Sequence, residues 1–389
     1  MEQVTTPEVH LPPRQHGDPE SSWVVNYMPM IVGAVSLLVL STVGHAWLDM
    51  TTIASATIIF VWLFVVILWG AVGVMHHAEQ IARSLGEPLG TLILTLSAIL
   101  IEVALIASVM LVGDANPTLA RDTMYAVLML VLNGLLGASL LAGGLRHRQQ
   151  EYNLEGARAF MVVLMPLAAL ALLLPNYTTS TANPTLSPGQ AAFFGLLTLA
   201  LYGIFLAIQT HRHRSFFEEV SSSGLDTQSA GFALHGSART NLLLNAVMLL
   251  LTLLPIALLS HHLAGIVEFG IRELGAPSGL AGVLIASLIL APEGITAFKA
   301  AWNNHLQRSV NIMLGSALST IGLTVPAVLL IGLVLNAEII LGLEPEHAFL
   351  LMLTLLVSTL TFSGARTDML KGAVHLVLFM VFIMLIIMP

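Results

Sequence analysis

Eleven long apolar runs decide what this chain can fold into. An α-helix rises about 1.5 Å per residue, so roughly 18–20 apolar residues are enough to cross the ~30 Å hydrocarbon core of a bilayer. The runs lie near residues 24–46, 51–75, 88–112, 119–143, 157–175, 188–209, 240–262, 278–300, 308–335, 346–363 and 369–388. Composition agrees. Only 9% of the 389 residues are charged and 56% are hydrophobic, with a mean hydropathy of +0.88, whereas a soluble domain carries about 25% charged residues. The sequence therefore predicts an all-α integral membrane protein of about eleven transmembrane helices, with the lipid bilayer as its main partner. The absence of cysteine excludes disulfides and thiolate metal sites. No basic stripe points to nucleic acid. Residues 1–22 are polar and lack a basic segment followed by an apolar one, so they read as a cytoplasmic tail rather than a cleavable signal.

The fourteen basic residues orient the spans. With the N-terminus in the cytoplasm, the inner segments hold Arg14, Arg83, Arg146, Arg148, Arg158, Arg212, Arg214, Arg239, Lys299, Arg308, Arg366 and Lys371, and the outer loops hold Arg121 and Arg272. That is the positive-inside pattern. It predicts a multi-pass protein of a bacterial inner (plasma) membrane, N-terminus cytoplasmic and C-terminus external.

The chain repeats itself. Glu79-Gln-Ile-Ala-Arg83-Ser-Leu85-Gly86-Glu-Pro88 recurs as Glu268-Phe-Gly-Ile-Arg272-Glu-Leu274-Gly275-Ala-Pro277, with Glu, Arg, Leu, Gly and Pro matching at one offset. Further on, Ser97-Ala-Ile99-Leu100-Ile-Glu102 parallels Ser287-Leu-Ile289-Leu290-Ala-Pro-Glu293. The first copy starts on the inside and the second on the outside, so the copies have opposite topology. The expected organisation is a first transmembrane helix (23–48), a five-helix repeat (49–210), a polar cytoplasmic linker (211–239) and a second, inverted five-helix repeat (240–389). Inverted repeats characterise alternating-access transporters, whose sites lie near the midplane between the halves.

Of 22 acidic residues, only Glu102 and Glu293 fall deep within a span, at matching places in the two copies. A charge at the bilayer centre costs about 2.5–3.5 kcal/mol on insertion scales. One reading is a pair of protonated glutamates hydrogen-bonded between helices. The other is chemical. Burial and a facing carboxylate both disfavour the ionised form, while a divalent cation between the two favours it. Such a pair holds protons or a metal, but not both well, which is the least that antiport requires. Two negative charges match Ca²⁺. Calcium takes 6–8 oxygens, and Pro292 suggests a source for some: it is expected to free the carbonyl near Leu288 and unwind the helix beside Glu293. Alternatively, it only shapes packing.

The fourth span carries Asn133-Gly134-Leu-Leu-Gly137-Ala138-Ser139, and the ninth carries Gly315-Ser316-Ala-Leu-Ser319-Thr320, then Thr324 and Pro326. Small residues at this spacing let helices approach closely. A sharper reading has Asn133, Ser316 and Ser319 bond the glutamates or bound water, with Ser97 and Ser287 as further supports. Asn133 is the strongest of these, because an amide in an apolar span needs a partner.

At these residues the sequence resembles the calcium:cation antiporter superfamily, and within it the bacterial calcium/proton antiporter branch. The resemblance runs from about Val74 to the C-terminus. It rests on Gly86-Glu-Pro-Leu-Gly-Thr-Leu-Ile with Ile101-Glu102-Val103, on Leu290-Ala-Pro-Glu293-Gly294, on Asn303-Asn304-His305-Leu-Gln-Arg308, and on Gly143-Gly-Leu-Arg-His-Arg-Gln-Gln-Glu-Tyr-Asn153. It implies two repeats, each built on a helix pair, with one acidic residue apiece, here Glu102 and Glu293, binding the exchanged cation. It also implies proton-driven export of calcium from the cytosol. Many relatives carry Gly-Asn shortly before the acid, where this chain has Ala98-Ile99 and Ile289-Leu290, and some have glutamine where Ser319 stands. The pocket thus offers fewer amides than theirs, and Na⁺ or K⁺ in place of Ca²⁺ stays open. No cofactor is called for; cation and protons are substrates.

Among the fourteen histidines, His76 and His77 precede Glu79, and His261 and His262 precede Glu268. Histidine titrates near pH 6.5, which makes His77 a candidate for a proton relay; Glu79 is the stronger candidate, because the resemblance implies an acidic helix beside the cytoplasmic entrance. Anchoring of helix ends is the plainer reading. A Na⁺/H⁺ or K⁺/H⁺ antiporter on the same scaffold is the alternative function, followed by a passive cation channel. An enzyme is disfavoured, because no His-Glu-x-x-His motif and no aspartate at a span centre occur.

Overall fold

The computed structural model describes residues 19–42, 52–85, 89–110, 117–181, 183–217, 236–277, 279–335 and 338–388. Among them the chain forms eleven helical rods in the expected order: α1 (Pro19–Thr42), α2 (Ile53–Leu85), α3 (Leu89–Met110), α4 (Leu119–His147), α5 (Leu154–Leu172), α6 (Pro188–Ala207), α7 (Gly236–Leu274), α8 (Gly279–Trp302), α9 (Leu306–Leu335), α10 (Pro345–Thr361) and α11 (Met369–Ile387). Eight are long and apolar enough to cross a membrane, and three contain shorter apolar segments. Most of the expected tail and linker, residues 1–18 and 218–235, lies outside the described residues, as does the Gly86–Pro88 part of the repeat.

Hydropathy locates the rods but not all their ends. α2 runs to Leu85 rather than 75, and α7 to Leu274 rather than 262. An apolar window stops where polar residues begin, while the helix continues until the backbone is interrupted. For α7 the stop is Gly275, at φ 62°, whose successor Ala276 donates its N–H to the Ile271 carbonyl at 2.8 Å. This is the left-handed cap that glycine allows. Elsewhere side chains set the start. Asn153 accepts from the Glu155 N–H at α5, Asp368 accepts from Leu370 and Lys371 at α11, and Ser187 with Gln190 forms a capping box at α6.

Two of the rods contain a wider turn. Leu130–Leu135 in α4 and Thr320–Thr324 in α9 are π-helical, and they begin at the offset of the sequence repeat to within one residue. π turns are rare and cluster at functional sites.

The buried side chains form two cores. The larger joins α4, α5, α6, α8, α9, α10 and α11; the smaller joins α1, α2 and α7. The helices α3 and α8 belong to both: Ile101, Leu105 and Leu288 pack in the smaller core, while Ile106, Ala286 and Leu290 pack in the larger. The seam between the cores therefore runs along the two helices that carry the intramembrane glutamates.

A short antiparallel ribbon closes one end of the bundle, pairing β1 (Gln149–Glu151) with β2 (Arg366–Asp368). Around it, Gln150 donates to the Ala301 carbonyl (2.8 Å) and to Asn304 Oδ1 (3.0 Å), Gln307 Oε1 accepts the Asn153 N–H (2.6 Å), and Arg146 stacks over Trp302. The resembling segments 143–153 and 303–308 thus lock the ends of α4, α8, α9 and α11 together.

Candidate functional site: paired carboxylates at the seam

Glu102 stands midway along α3 and is 3% exposed. Thr320, the first residue of the α9 π turn, donates its hydroxyl to Glu102 Oε2 at 3.0 Å. Oε1 of the same carboxyl is buried and has no protein partner. The Thr324 hydroxyl lies beside this carboxyl without hydrogen-bonding geometry. On α8, Glu293 Oε2 is likewise buried without a partner, and Ser316 of α9 faces this carboxylate. Glu293 lies within electrostatic range of Glu102. Ser316 and Thr320 are four residues apart, so they share one face of α9, and that face serves both acids.

A buried carboxylate oxygen with no donor carries the full cost of leaving water. Two such oxygens lie on acids within electrostatic range of each other, with the Thr320, Thr324 and Ser316 hydroxyls beside them, so the donors at hand are all oxygens. That donor set suits a hard cation, or protons in its place. Among the described residues no cluster of three or more His, Cys, Asp or Glu could hold a metal, so a cation here would rely on the two carboxylates, the hydroxyls and backbone oxygens.

The structure brings Glu102, Glu293 and Ser316 together and adds Thr320 and Thr324, which sequence reasoning quoted but did not place in the site. Their signal was spacing: Thr320 follows Ser316 by four and Thr324 by eight. Other supports point elsewhere. Ser97 donates to Ile93 O and Ser287 to Val283 O, each at 2.7 Å, and Ser319 donates to Ser316 O at 3.0 Å. These hydroxyls satisfy themselves on the preceding turn of their own helix.

Two expectations are corrected. Asn133 does not bond the glutamates. It is fully buried, its amide nitrogen donates to Thr354 Oγ1 at 2.8 Å, and its oxygen faces His375 Nδ1 at 3.1 Å. The amide did need a partner, but α10 and α11 supply it. Nor does Pro292 unwind α8, which is one continuous α-helix from Gly279 to Trp302 with Leu288 buried in the smaller core. The proline removes one backbone bond from a helix packed on both sides, and the helix continues through it. The irregular backbone sits in the partner helices, as the two π turns. His77 Nδ1 pairs with Asn245 Oδ1 at 2.9 Å, joining α2 to α7, while Glu79 is exposed two residues further on.

A bundle of membrane-crossing helices with two buried acids on the seam between its cores defines a polytopic membrane transporter. More particularly, the chain belongs to the sodium/calcium exchanger protein family, whose model matches residues 55–211 and 244–388. That is a family of transporters, not of enzymes. The chain is 40% identical over 323 residues to the sodium-potassium/proton antiporter ChaA of Escherichia coli, covering 82% of this chain and 86% of that one. It is 38% identical over 372 residues to a protein of Sinorhizobium fredii named as an ionic transporter, covering 95% and 96%. Its fold is similar to the crystal structure of the H⁺/Ca²⁺ exchanger CAX, with a TM-score of 0.67 at 14% identity over 94% of this chain and 89% of that one.

Proposed function

We propose that this protein is a cation/proton antiporter in which Glu102 and Glu293 share one pocket and carry either a cation or protons. The observation that carries this reading is the pair of buried carboxylate oxygens, Glu102 Oε1 and Glu293 Oε2, left without protein partners on neighbouring acids. A cation or protons satisfy them, and occupancy by one displaces the other. Their place between two separately packed cores suits alternating access, since relative movement of the cores changes which side of the membrane reaches the acids. The inverted five-helix repeats, the cytoplasmic N-terminus and export of the cation from the cytosol belong to the same proposal, supported by the basic-residue asymmetry and by the matching offset of the two π turns.

Calcium is the ion proposed first, because two carboxylates balance its charge and two protons replace it without net charge change at the site. A second reading, Na⁺ or K⁺, is favoured by the name of the E. coli relative at 40% identity and by the lack of amides at the carboxyls. Purified protein in liposomes carrying a pH-sensitive dye, challenged in turn with Ca²⁺, Na⁺ and K⁺ at one pH gradient, decides between them. Proton release driven by Ca²⁺ alone supports the first reading, and release driven by Na⁺ or K⁺ but not Ca²⁺ supports the second. Cation flux without proton movement would overturn antiport altogether.

A further inference from the structure

His375 lies in the eleventh helix and is fully buried, yet the carboxylate site makes no use of it. Its ring joins three helices. Nδ1 faces Asn133 Oδ1 of the α4 π turn at 3.1 Å, Nε2 faces Thr361 Oγ1 at the end of α10 at 3.0 Å, and the Leu132 carbonyl is also within reach. Asn133 spends its amide nitrogen on Thr354, so the oxygen it turns to the ring can only accept. Nδ1 is therefore the donor to Asn133, and Nε2 pairs with the Thr361 hydroxyl. Both ring nitrogens are thus engaged. Behind it α4 and α11 meet almost backbone to backbone: a Cβ on Gly137 would lie 3.0 Å from His375 Cβ and 3.1 Å from the Leu376 nitrogen.

The other side of the same π turn packs against the residue that follows Glu293. Leu135, its last residue, fills the space where Gly294 lacks a side chain, so that a Cβ there would meet Leu135 Cδ2 at 2.8 Å. Gly294 follows Glu293 directly. The two π turns thus differ in how they are held. In α9, Thr320 is bonded to Glu102, a group whose state changes during exchange. In α4, Asn133 is bonded to His375 and Thr354, and neither of these is hydrogen-bonded to a glutamate.

We propose that His375 is a positioning residue: through Asn133 it fixes the α4 π turn as a rigid backing for Glu293, leaving the α9 turn as the one that follows the state of the pocket. This rests on the antiport reading given above. Loss of a supporting group around a metal site costs roughly 10- to 100-fold in affinity or activity, and a group that only positions the binding carboxylate acts through affinity. The bond to Asn133 matters more than the bond to Thr361, because only the former reaches the π turn.

The test compares His375→Asn, whose amide can occupy the Nδ1 position, with His375→Gln, whose amide can occupy the Nε2 position, alongside His375→Leu, Asn133→Leu and the double Leu variant. Each is purified and reconstituted, and KM and kcat are measured separately for whichever of Ca²⁺, Na⁺ or K⁺ drives proton release in the unaltered protein. The expected result is a KM near that of the parent for His375→Asn and a KM raised roughly tenfold for His375→Gln. His375→Leu and Asn133→Leu should do the same, with kcat little changed and no further loss in the double variant. Equal KM values for His375→Asn and His375→Gln overturn the proposal even if the leucine variants fail to fold. Glu293→Gln serves as the control. If it is inactive while His375→Leu matches the parent, the positioning role is wrong and antiport stands; if it transports normally, the reading beneath the proposal is wrong.

Discussion

Replacing Thr320 by valine keeps the shape of the side chain and deletes one hydroxyl, the one that donates to Glu102 Oε2 at 3.0 Å. The pocket is buried, the opposite oxygen, Oε1, already lacks a protein partner, and the neighbouring Thr324 hydroxyl stands out of hydrogen-bonding geometry, so the bond is lost unless Thr324 shifts. A hydrogen bond to an ionised group contributes about 1.5–3 kcal/mol. The ionised carboxyl is the form that binds a cation, so the loss falls on cation affinity. At ~1.4 kcal/mol per tenfold, KM should rise roughly 10- to 100-fold. Turnover at saturating cation should change much less, because the carboxylates themselves remain. The assay is cation-driven proton release from reconstituted protein over a wide cation range. Thr320→Ser, which keeps the hydroxyl, should stay close to the parent. A well-folded Thr320→Val protein with an unchanged KM would refute the reasoning, since it would mean that this hydroxyl takes no part in holding Glu102 ready for the cation.

Other consequences follow from the same geometry. Gly294→Val should reduce transport, since even a single added carbon meets Leu135 at 2.8 Å and overpacking costs about 1–3 kcal/mol; adding Leu135→Ala should restore part of the rate, and no restoration would count against direct contact as the cause. Outside the spans, the Tyr152 phenol bonds the Gly364 and Thr361 carbonyls, and burial pushes its pKa up to about 12. Its unfolded value is near 10, so the stability it contributes is complete below about pH 10 and fades as pH rises toward 12. A phenolate absorbance titration of the parent against Tyr152→Phe should show one late-titrating group, and an ordinary titration near pH 10 would contradict this.

Much of the architecture was legible in the sequence because hydrocarbon thickness sets span length and buried charge is expensive. Those two facts located the rods and singled out Glu102 and Glu293. The Leu274-Gly275-x-Pro277 pattern, read only as part of the repeat, coincides with the helix end that hydropathy missed. The direction in which buried polar groups turn was not legible. Asn133 had to find a partner, but composition gave no ground for choosing Thr354 and His375 over the glutamates, and the π turn that carries it breaks the 3.6-residue phase from which a face would be inferred. Of the two readings of Pro292, unwinding failed for a related reason, since whether a helix opens at a proline depends on what packs against it and not on the proline alone. His375 was there to be seen as a lone histidine in the final apolar run.

The most direct test of the shared pocket is to neutralise each acid separately, as Glu102→Gln and Glu293→Gln, and measure cation-driven proton movement in liposomes containing folded, correctly inserted protein. The account predicts that both variants lose exchange, because each oxygen pair is needed to hold the cation and to receive protons in its place. Full exchange by either variant would contradict it.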